Sequence, residues 1–564
     1  MNGDTTARDF PVTTTTAHTY SRYVTPGDSF ISRISVFVAF ALATSLVSYH
    51  LGADINWDLL NYHFNNGYLY THGKLFRDSL GTIQSYLDPL LNSFYYLLIS
   101  TLPPLWVNII LAILQSIALS SVFFLSRFML GSGTVRYPVI GSAIIAISAL
   151  FGPAFWSEIG GTMGDTLLAT PVIVALLLTV RYMTMVAAGA QRLSYVTLAG
   201  LLLGLASGLK FTNMVYALAM FLSLALVLSL TGHIQRRTTL FAILAFGTAA
   251  SVGFCLIYGR IAWLLWEHYR NPIFPYFNNI FRSLYLGGYA IHDSRWIPTT
   301  LYAYVGIPFN YLVRHTGHGI GRPGGMEILF RTCFFAIISV LIIPYIWLQR
   351  RARRTEASPD QIGRTFFLTF FFIAFIIWAH MFGYYRYLAV LEIIAPLALF
   401  IMLEDLIPSR YAMRSVGPSA IVFLAALFSF PHYTWGREPF RASYFGISKV
   451  PLDPYRNSLL IIGHAPMGFI IPYFPSTVRT IGIPERIGRP TKEFQKSYLA
   501  PLHTFRGPIY YLTSYPQLSK NSGIFDVLAR YGLHISRRCA KITTSIYPIA
   551  ICRVRRARHP TNEP

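Results

Sequence analysis

Apolar runs near the length that crosses a lipid bilayer recur from one end of the chain almost to the other, and they fix the class of fold it can reach. A helix needs about 20 apolar residues to span the hydrocarbon core, somewhat fewer when flanking side chains snorkel. The runs lie near 31–50, 105–126, 137–152, 166–182, 194–210, 213–230, 239–258, 328–349, 365–381, 386–403 and 414–430. Only 12% of the 564 residues are charged, where a soluble domain carries about a quarter. The expected fold is a polytopic all-α membrane protein of about 11 transmembrane helices with a small C-terminal extracytoplasmic α/β domain. The net charge of +23 does not point to nucleic acid, because the basic residues are scattered between apolar runs rather than gathered on one polar domain.

Residues 1–30 are Thr-rich and polar with no apolar core of a signal peptide, so a cytoplasmic tail and a retained first helix are expected. Lys and Arg in short loops mark the cytoplasmic side. Arg127 and Arg136, Arg181 and Arg192, Arg236 and Arg237, and the connection "QRRARRTEASPDQIGR" (349–364) all fall on one side under this scheme. The transmembrane domain then covers 31–430, and 51–104, 153–165, 259–327 and 431–564 are extracytoplasmic, in a multi-pass protein of the plasma (bacterial inner) membrane. The run 86–102 has Asp88, Pro89 and Asn92 near its start and reads as interfacial or re-entrant rather than spanning.

Residues 431–564 contain strand-like runs at 458–463, 507–513 and 545–554 between turn residues, hence the α/β assignment. This tail is rich in Lys and Arg, which suits either anionic head groups or an anionic glycan, and equally a generic basic surface. Cys539 and Cys552 could pair in an oxidising compartment, although spacing alone does not establish the geometry. The four cysteines show no CxxC and no His-rich partner of a zinc or iron–sulfur site.

Asp54, Asp58, Glu158 and Asp165 stand beside extracytoplasmic ends of spans, in two loops about a hundred residues apart. Ionisable groups at such depth are kept for function or for a partner, the plainer reading being a helix cap or a loop anchor. "D58-L-L-N-Y62" followed by Gly73 resembles the first-loop signature of the GT-C membrane glycosyltransferases, the superfamily of protein O-mannosyltransferases and of lipid A aminoarabinose transferase. "D88-P-L" with Tyr95 and Tyr96 resembles the segment that closes that loop, and "W156-S-E158-I-G-G-T-M-G-D165" occupies the place of the second acidic loop. "G200-L-L-L-G204-L-A-S-G208-L-K210" resembles the family's Gly-rich span ending in Lys, and "Y384-Y-R386-Y387" its late Arg-Tyr. The resemblance covers roughly residues 31–400. Leu59 departs from it, standing where the Glu of an Asp-Glu pair would be, and neither loop has an Asp-x-Asp.

The resemblance implies transfer of a sugar from a polyprenyl-phosphate donor to an extracytoplasmic acceptor, whether glycan, lipid or protein. Such a step needs a carboxylate base and nearby cations, both at the interface. Asp58 is the candidate base, with Asp165 or Glu158 holding the acceptor or orienting that base. Lys210 and Arg386 are candidates for the departing phosphate, or else snorkel to head groups. Asp54, Tyr62 and Arg270 complete the candidate substrate contacts, Arg270 from the aromatic loop "RNPIFPYFNNIFRS". His292, Asp293 and Arg295 on the same loop are more often structural than catalytic. The sequence singles out no cofactor and leaves open whether Mg²⁺ or Mn²⁺ takes part, since carboxylates at these spacings can serve with or without a metal. An O-antigen polymerase or ligase would rely on arginines and a histidine instead of an Asp base. A transporter or flippase would place charges inside spans and repeat its halves, and the sequence has few such charges and no repeat.

Overall fold

The computed structural model describes residues 30–557 apart from 132–135, 233, 292, 313–330, 353–357, 409–410, 412, 431–433, 448–452, 465, 484–490 and 516–521. The N-terminal tail, His292 and residues 353–357 of the arginine-rich connection therefore lie outside the described residues. Each of the apolar runs contains a helix among its described residues. Among the described residues, seven helices are long and apolar enough to cross a membrane: Phe30–Leu51, Pro104–Leu130, Asp165–Ala187, Phe211–Leu230, Arg236–Tyr269, Pro359–Met381 and Tyr385–Leu406. Shorter apolar helices occupy Pro138–Leu150, Leu193–Leu209, Phe334–Arg350 and Val416–Phe428. The protein is a multi-pass helical membrane protein with a small α/β region near its C-terminus. The segment 86–102 forms the 12-residue helix Leu90–Thr101. At 1.5 Å per residue it is about 18 Å long, short of the ~30 Å hydrocarbon core. Asp88 Oδ1 accepts the Leu90 N–H at 2.8 Å and so caps it.

Burial separates the helices by position. In Tyr385–Leu406, 89% of the most apolar window is buried, against 6% in Phe30–Leu51, so the first is the axis of the bundle and the second faces outward. Without water to drive apolar faces together, membrane helices associate through close packing at small residues. Gly200, Gly204 and Gly208 form such a stripe on Leu193–Leu209, facing Arg236–Tyr269. A Cβ on Gly204 would lie 2.1 Å from the Ala250 carbonyl oxygen, and one on Gly200 2.3 Å from that of Phe246. Gly204→Val should force the two helices apart and lower the thermal midpoint of the detergent-solubilised protein, with overpacking costing about 1–3 kcal/mol. Gly247→Ala, where the new methyl meets only Phe221 at 3.5 Å, should leave it unchanged.

The two ends of the bundle differ in chemistry. At one end Arg364 pairs with Asp405 (2.6 Å) and Glu404 (2.8 Å) and donates to the Met129 carbonyl, while the Arg181 guanidinium lies over the Phe128 ring. The same helices begin or end, at the opposite side, with Asp165 and Arg386. The end of these helices that carries Arg181 and Arg364 thus lies opposite the end that carries Asp165 and Arg386.

The C-terminal region holds a five-stranded sheet in the order β4-β3-β5-β7-β6. Its strands are β3 (Leu459–Ile462), β4 (Arg479–Gly482), β5 (Ile509–Ser514), β6 (Leu533–Ile542) and β7 (Ile549–Arg556). Strands β3, β4 and β5 run parallel, and β7 pairs antiparallel with β5 and β6. Cys539 and Cys552 face each other across β6 and β7 and are joined as a disulfide. One sheet face packs under the helix Lys492–Thr504 through Leu499 and Leu502. The other, with Leu460, Ile462, Leu512 and Ile551, packs on Leu59, Phe64 and Tyr68 of the first loop. A second, two-stranded sheet pairs β1 (Ala53–Asp54) with β2 (Arg437–Glu438), so the start of the tail is anchored in the first loop rather than in the C-terminal sheet.

Candidate functional site

Each carboxylate of the two acidic loops is placed by a different local device. After β1, Asn56 Oδ1 accepts the Leu59 N–H and starts a π-helical turn, Leu59–His63, which runs into the helix Phe64–Thr71. Wide turns of this kind recur at functional sites because they re-aim side chains, and this one follows directly on Asp58. In the second loop the helix Pro153–Glu158 has its first N–H groups bound by the Glu392 carboxylate, which accepts from Ala154 (3.0 Å) and Phe155 (2.9 Å). Tyr385 donates to the same carboxyl group, so a polar side chain buried in the axial helix aims the loop that carries Glu158. Gln115 bridges further, donating to the Glu158 carbonyl and Thr166 Oγ1 and accepting from the Gly160 N–H. Gly164, at φ +85°, turns the chain in the left-handed region that glycine alone enters at little cost, and delivers Asp165 to the start of its helix.

Four side chains from four segments then meet. Arg386 Nη1 donates to Asp58 Oδ2 at 2.8 Å, and its Nε lies 3.3 Å from Asp165 Oδ2. Lys210 Nζ, just past the glycine stripe, lies 2.5 Å from Asp165 Oδ1 and donates to the Met163 carbonyl at 2.8 Å. The chain Asp58, Arg386, Asp165, Lys210 is thus two anions and two cations, balanced in charge. The cations keep 14% (Arg386) and 18% (Lys210) of their side-chain surface exposed, so both can be reached from outside the fold. The rings of Tyr387 and Trp435 flank the Arg386 guanidinium at 5.2 and 5.7 Å.

The electrostatics set the protonation of the loop carboxylates. Burial would raise the Asp58 carboxyl, but Arg386, with His63 and Lys210 behind it, holds it below its ordinary value, so Asp58 is anionic. Glu158 behaves oppositely. Fully buried and beside Asp165, its carboxyl is pushed well above the usual range; Oε2 accepts the Thr166 N–H, and Oε1 has no hydrogen-bond partner among the described residues. Burial and then Asp58 keep the Tyr62 phenol protonated beside them. The donor set does not fit a divalent cation: Asp58 and Asp165 are paired with Arg386 and Lys210, and among the described residues no three His, Cys, Asp or Glu side chains converge. No step below is routed through a metal.

The remaining candidates lie elsewhere. Asp54 is 1% exposed and accepts from Asn56, from the Thr162 N–H (2.8 Å) and from Thr162 Oγ1 (2.7 Å), a knot between the two acidic loops. Arg270 is exposed at the end of the Arg236–Tyr269 helix, outside the cluster. Asp293 and Arg295 pair with each other and with Tyr384, exposed to solvent. Sequence reasoning did not single out His63, Gln115, Glu392, Trp435 or Arg437. The signal for two of these was present, since Gln115 and Glu392 are polar residues inside apolar runs.

The chain matches no protein-family model and no curated protein. Among solved structures it is similar to the crystal structure of ArnT from Cupriavidus metallidurans bound to undecaprenyl phosphate, at 12% sequence identity over 93% of this chain and 98% of that one, with a TM-score of 0.47. It is also similar to the apo oligosaccharyltransferase of Archaeoglobus fulgidus, at 14% identity over 90% of this chain and 72% of that one, with a TM-score of 0.42.

Proposed function

We propose that the protein is an integral membrane glycosyltransferase that moves a sugar from a polyprenyl-phosphate donor to an extracytoplasmic acceptor. The observation that carries this reading is the partly exposed pair of cations, Arg386 and Lys210, interleaved with two loop carboxylates at one end of the bundle. A purely structural ion pair needs one partner on each side and no exposure. A lipid phosphate arriving at this end would compete with Asp58 and Asp165 for Arg386 and Lys210, the guanidinium engaging it as a fork and the ammonium as a point charge. Asp58, relieved of Arg386, would regain proton affinity and take the proton of an acceptor hydroxyl or amine as that group attacks C1 of the sugar. The base is thereby active only once the donor is in place. Glu158, kept protonated, can donate a hydrogen bond to acceptor or donor, and Tyr62 can do the same.

The C-terminal sheet belongs on the same side in this reading. Its disulfide suits an oxidising compartment, and its contact with the first loop puts it beside the route of the acceptor. The test is a structure of the protein with undecaprenyl phosphate added. The phosphate is expected within hydrogen-bond reach of Lys210 and Arg386, with Lys210→Met weakening the lipid's binding about tenfold, the loss of one partly solvated charge contact. A lipid bound elsewhere, or between helices toward the Arg364 end, would replace this reading with that of a flippase.

A further inference from the structure

The π-helical turn carries a titratable side chain that the reading above leaves without a role. His63 is 5% exposed, and its Nδ1 lies 2.5 Å from Asn92 Oδ1 on the helix Leu90–Thr101. An amide oxygen only accepts, so Nδ1 carries the hydrogen and Nε2 keeps its lone pair. Nε2 is buried and has no hydrogen-bond partner among the described residues. The ring is held in place by Tyr62, with centroids 4.3 Å apart, and by the edge of Tyr95 at 5.6 Å. The charged groups that face it are Asp58 on its own segment and Lys210 and Arg386 from the neighbouring helices. A buried imidazole with a fixed tautomer, an open acceptor nitrogen and the candidate base for a neighbour has the features of a proton store.

We propose that His63 receives the proton released in glycosyl transfer, through Asp58, with Asn92 fixing the tautomer that makes this work. The inference rests on the glycosyltransferase reading. In the transfer, the acceptor O–H or N–H bond breaks and its electron pair forms the new bond to C1. The bond from C1 to the phosphate oxygen breaks with its electrons leaving on the lipid phosphate, which gains one negative charge. The proton goes to Asp58 and from there to His63 Nε2 by way of water, since no described residue hydrogen-bonds Nε2, so Asp58 returns to a carboxylate and His63 becomes an imidazolium. Charge is conserved, the added negative charge on phosphate being matched by the positive charge on His63.

Before the donor arrives the imidazole is poised for this. Burial, aided by Lys210 and Arg386 against the opposing pull of Asp58, holds it down to about 4, so it is neutral at physiological pH. An anionic phosphate on those two cations cancels their repulsion and raises the proton affinity of Nε2. Binding of product lipid should therefore be accompanied by proton uptake that depends on His63.

The experiment is isothermal titration of the full chain in detergent with undecaprenyl phosphate, near neutral pH, in two buffers of different ionisation enthalpy. The wild type is expected to take up more protons per bound lipid than His63→Gln, with the dissociation constant changing by less than about threefold. Equal uptake in the two proteins overturns the inference. Asn92→Asp provides a second arm should His63→Gln fold poorly. A carboxylate against Nδ1–H favours the imidazolium, so the pH midpoint of the uptake should move up by about one unit or more, and an unmoved midpoint also overturns it. Failure of the wild type to bind undecaprenyl phosphate at all would instead sink the glycosyltransferase reading, and the inference with it.

Discussion

Replacing Arg386 by methionine is expected to abolish binding of undecaprenyl phosphate and to lower the thermal midpoint of the protein by more than any other single change in the cluster. Among the described residues, Arg386 is the one cation that pairs with both Asp58 and Asp165. Its loss leaves Asp58, 7% exposed, without its ion-pair partner. Removing one member of a buried pair costs about 3–5 kcal/mol, most of it the price of stranding the other charge. Arg386→Met combined with Asp58→Asn should therefore recover part of the lost stability, because the stranded charge is gone, while lipid binding stays lost. That split separates the two roles of the arginine: the first depends on Asp58, the second on the phosphate. Lys210→Met should be milder, since Asp165 keeps Arg386. Thermal melts by size exclusion and lipid titration on the four proteins would check this. An Arg386→Met protein with wild-type stability and affinity would show that the cluster neither holds the loops nor receives the phosphate.

The helices were legible because an apolar run of spanning length has few other fates. Their ends were less so. The run expected to stop at 258 continues to Tyr269, making a 34-residue helix of about 51 Å that outruns the bilayer. A helix leaving the membrane loses nothing by continuing into the interface, where Trp263 and Trp266 are at home. In the C-terminal region the runs anticipated as strands became β3, β5 and β7, the interior strands of the sheet. Those missed, β4 and β6, are its two edges. Edge strands are kept short or charged so that they do not pair with other chains, and "LHISRRCAKI" of β6 accordingly lacks an apolar alternation.

The site divides in a similar way. Asp58, Asp165, Lys210 and Arg386 could be singled out one by one, since each is an ionisable group next to an apolar run. Their convergence could not, because it depends on how the Leu193–Leu209 helix is pressed against its neighbour by the glycine stripe and on how Glu392 aims the second loop. Asp54 illustrates the limit from the other direction. It shares the position and chemistry of the candidate base, yet Asn56 and Thr162 occupy both of its oxygens, and only the fold distinguishes it from Asp58.

Arg437 is where the next large effect is expected. Its position in the polar tail gives no hint of burial, yet its guanidinium donates to the carbonyls of Gly52 (3.3 Å), Ser157 (3.0 Å) and Ile159 (2.8 Å). One side chain thus satisfies the end of the first helix and both sides of the second acidic loop, while its backbone pairs with Asp54 in the β1–β2 sheet. Arg437→Met keeps the length and much of the volume of the stem but removes every one of those donors. The Ser157 and Ile159 carbonyls are left unsatisfied, at about 1–3 kcal/mol for each that water cannot reach, while that of Gly52 keeps Asn108 Nδ2, and buried Asp54 loses a neighbouring positive charge. The variant should melt well below the wild type and bind undecaprenyl phosphate weakly even though Arg437 contacts neither Lys210 nor Arg386. Arg437→Lys should rescue little, because a single ammonium cannot reach carbonyls that the flat guanidinium reaches with two nitrogens. If Arg437→Lys restores both stability and lipid affinity, charge near Asp54 is what matters. If it restores neither, the geometry of the fork holds the two loops in register, and the site owes its assembly to a residue 51 positions beyond Arg386.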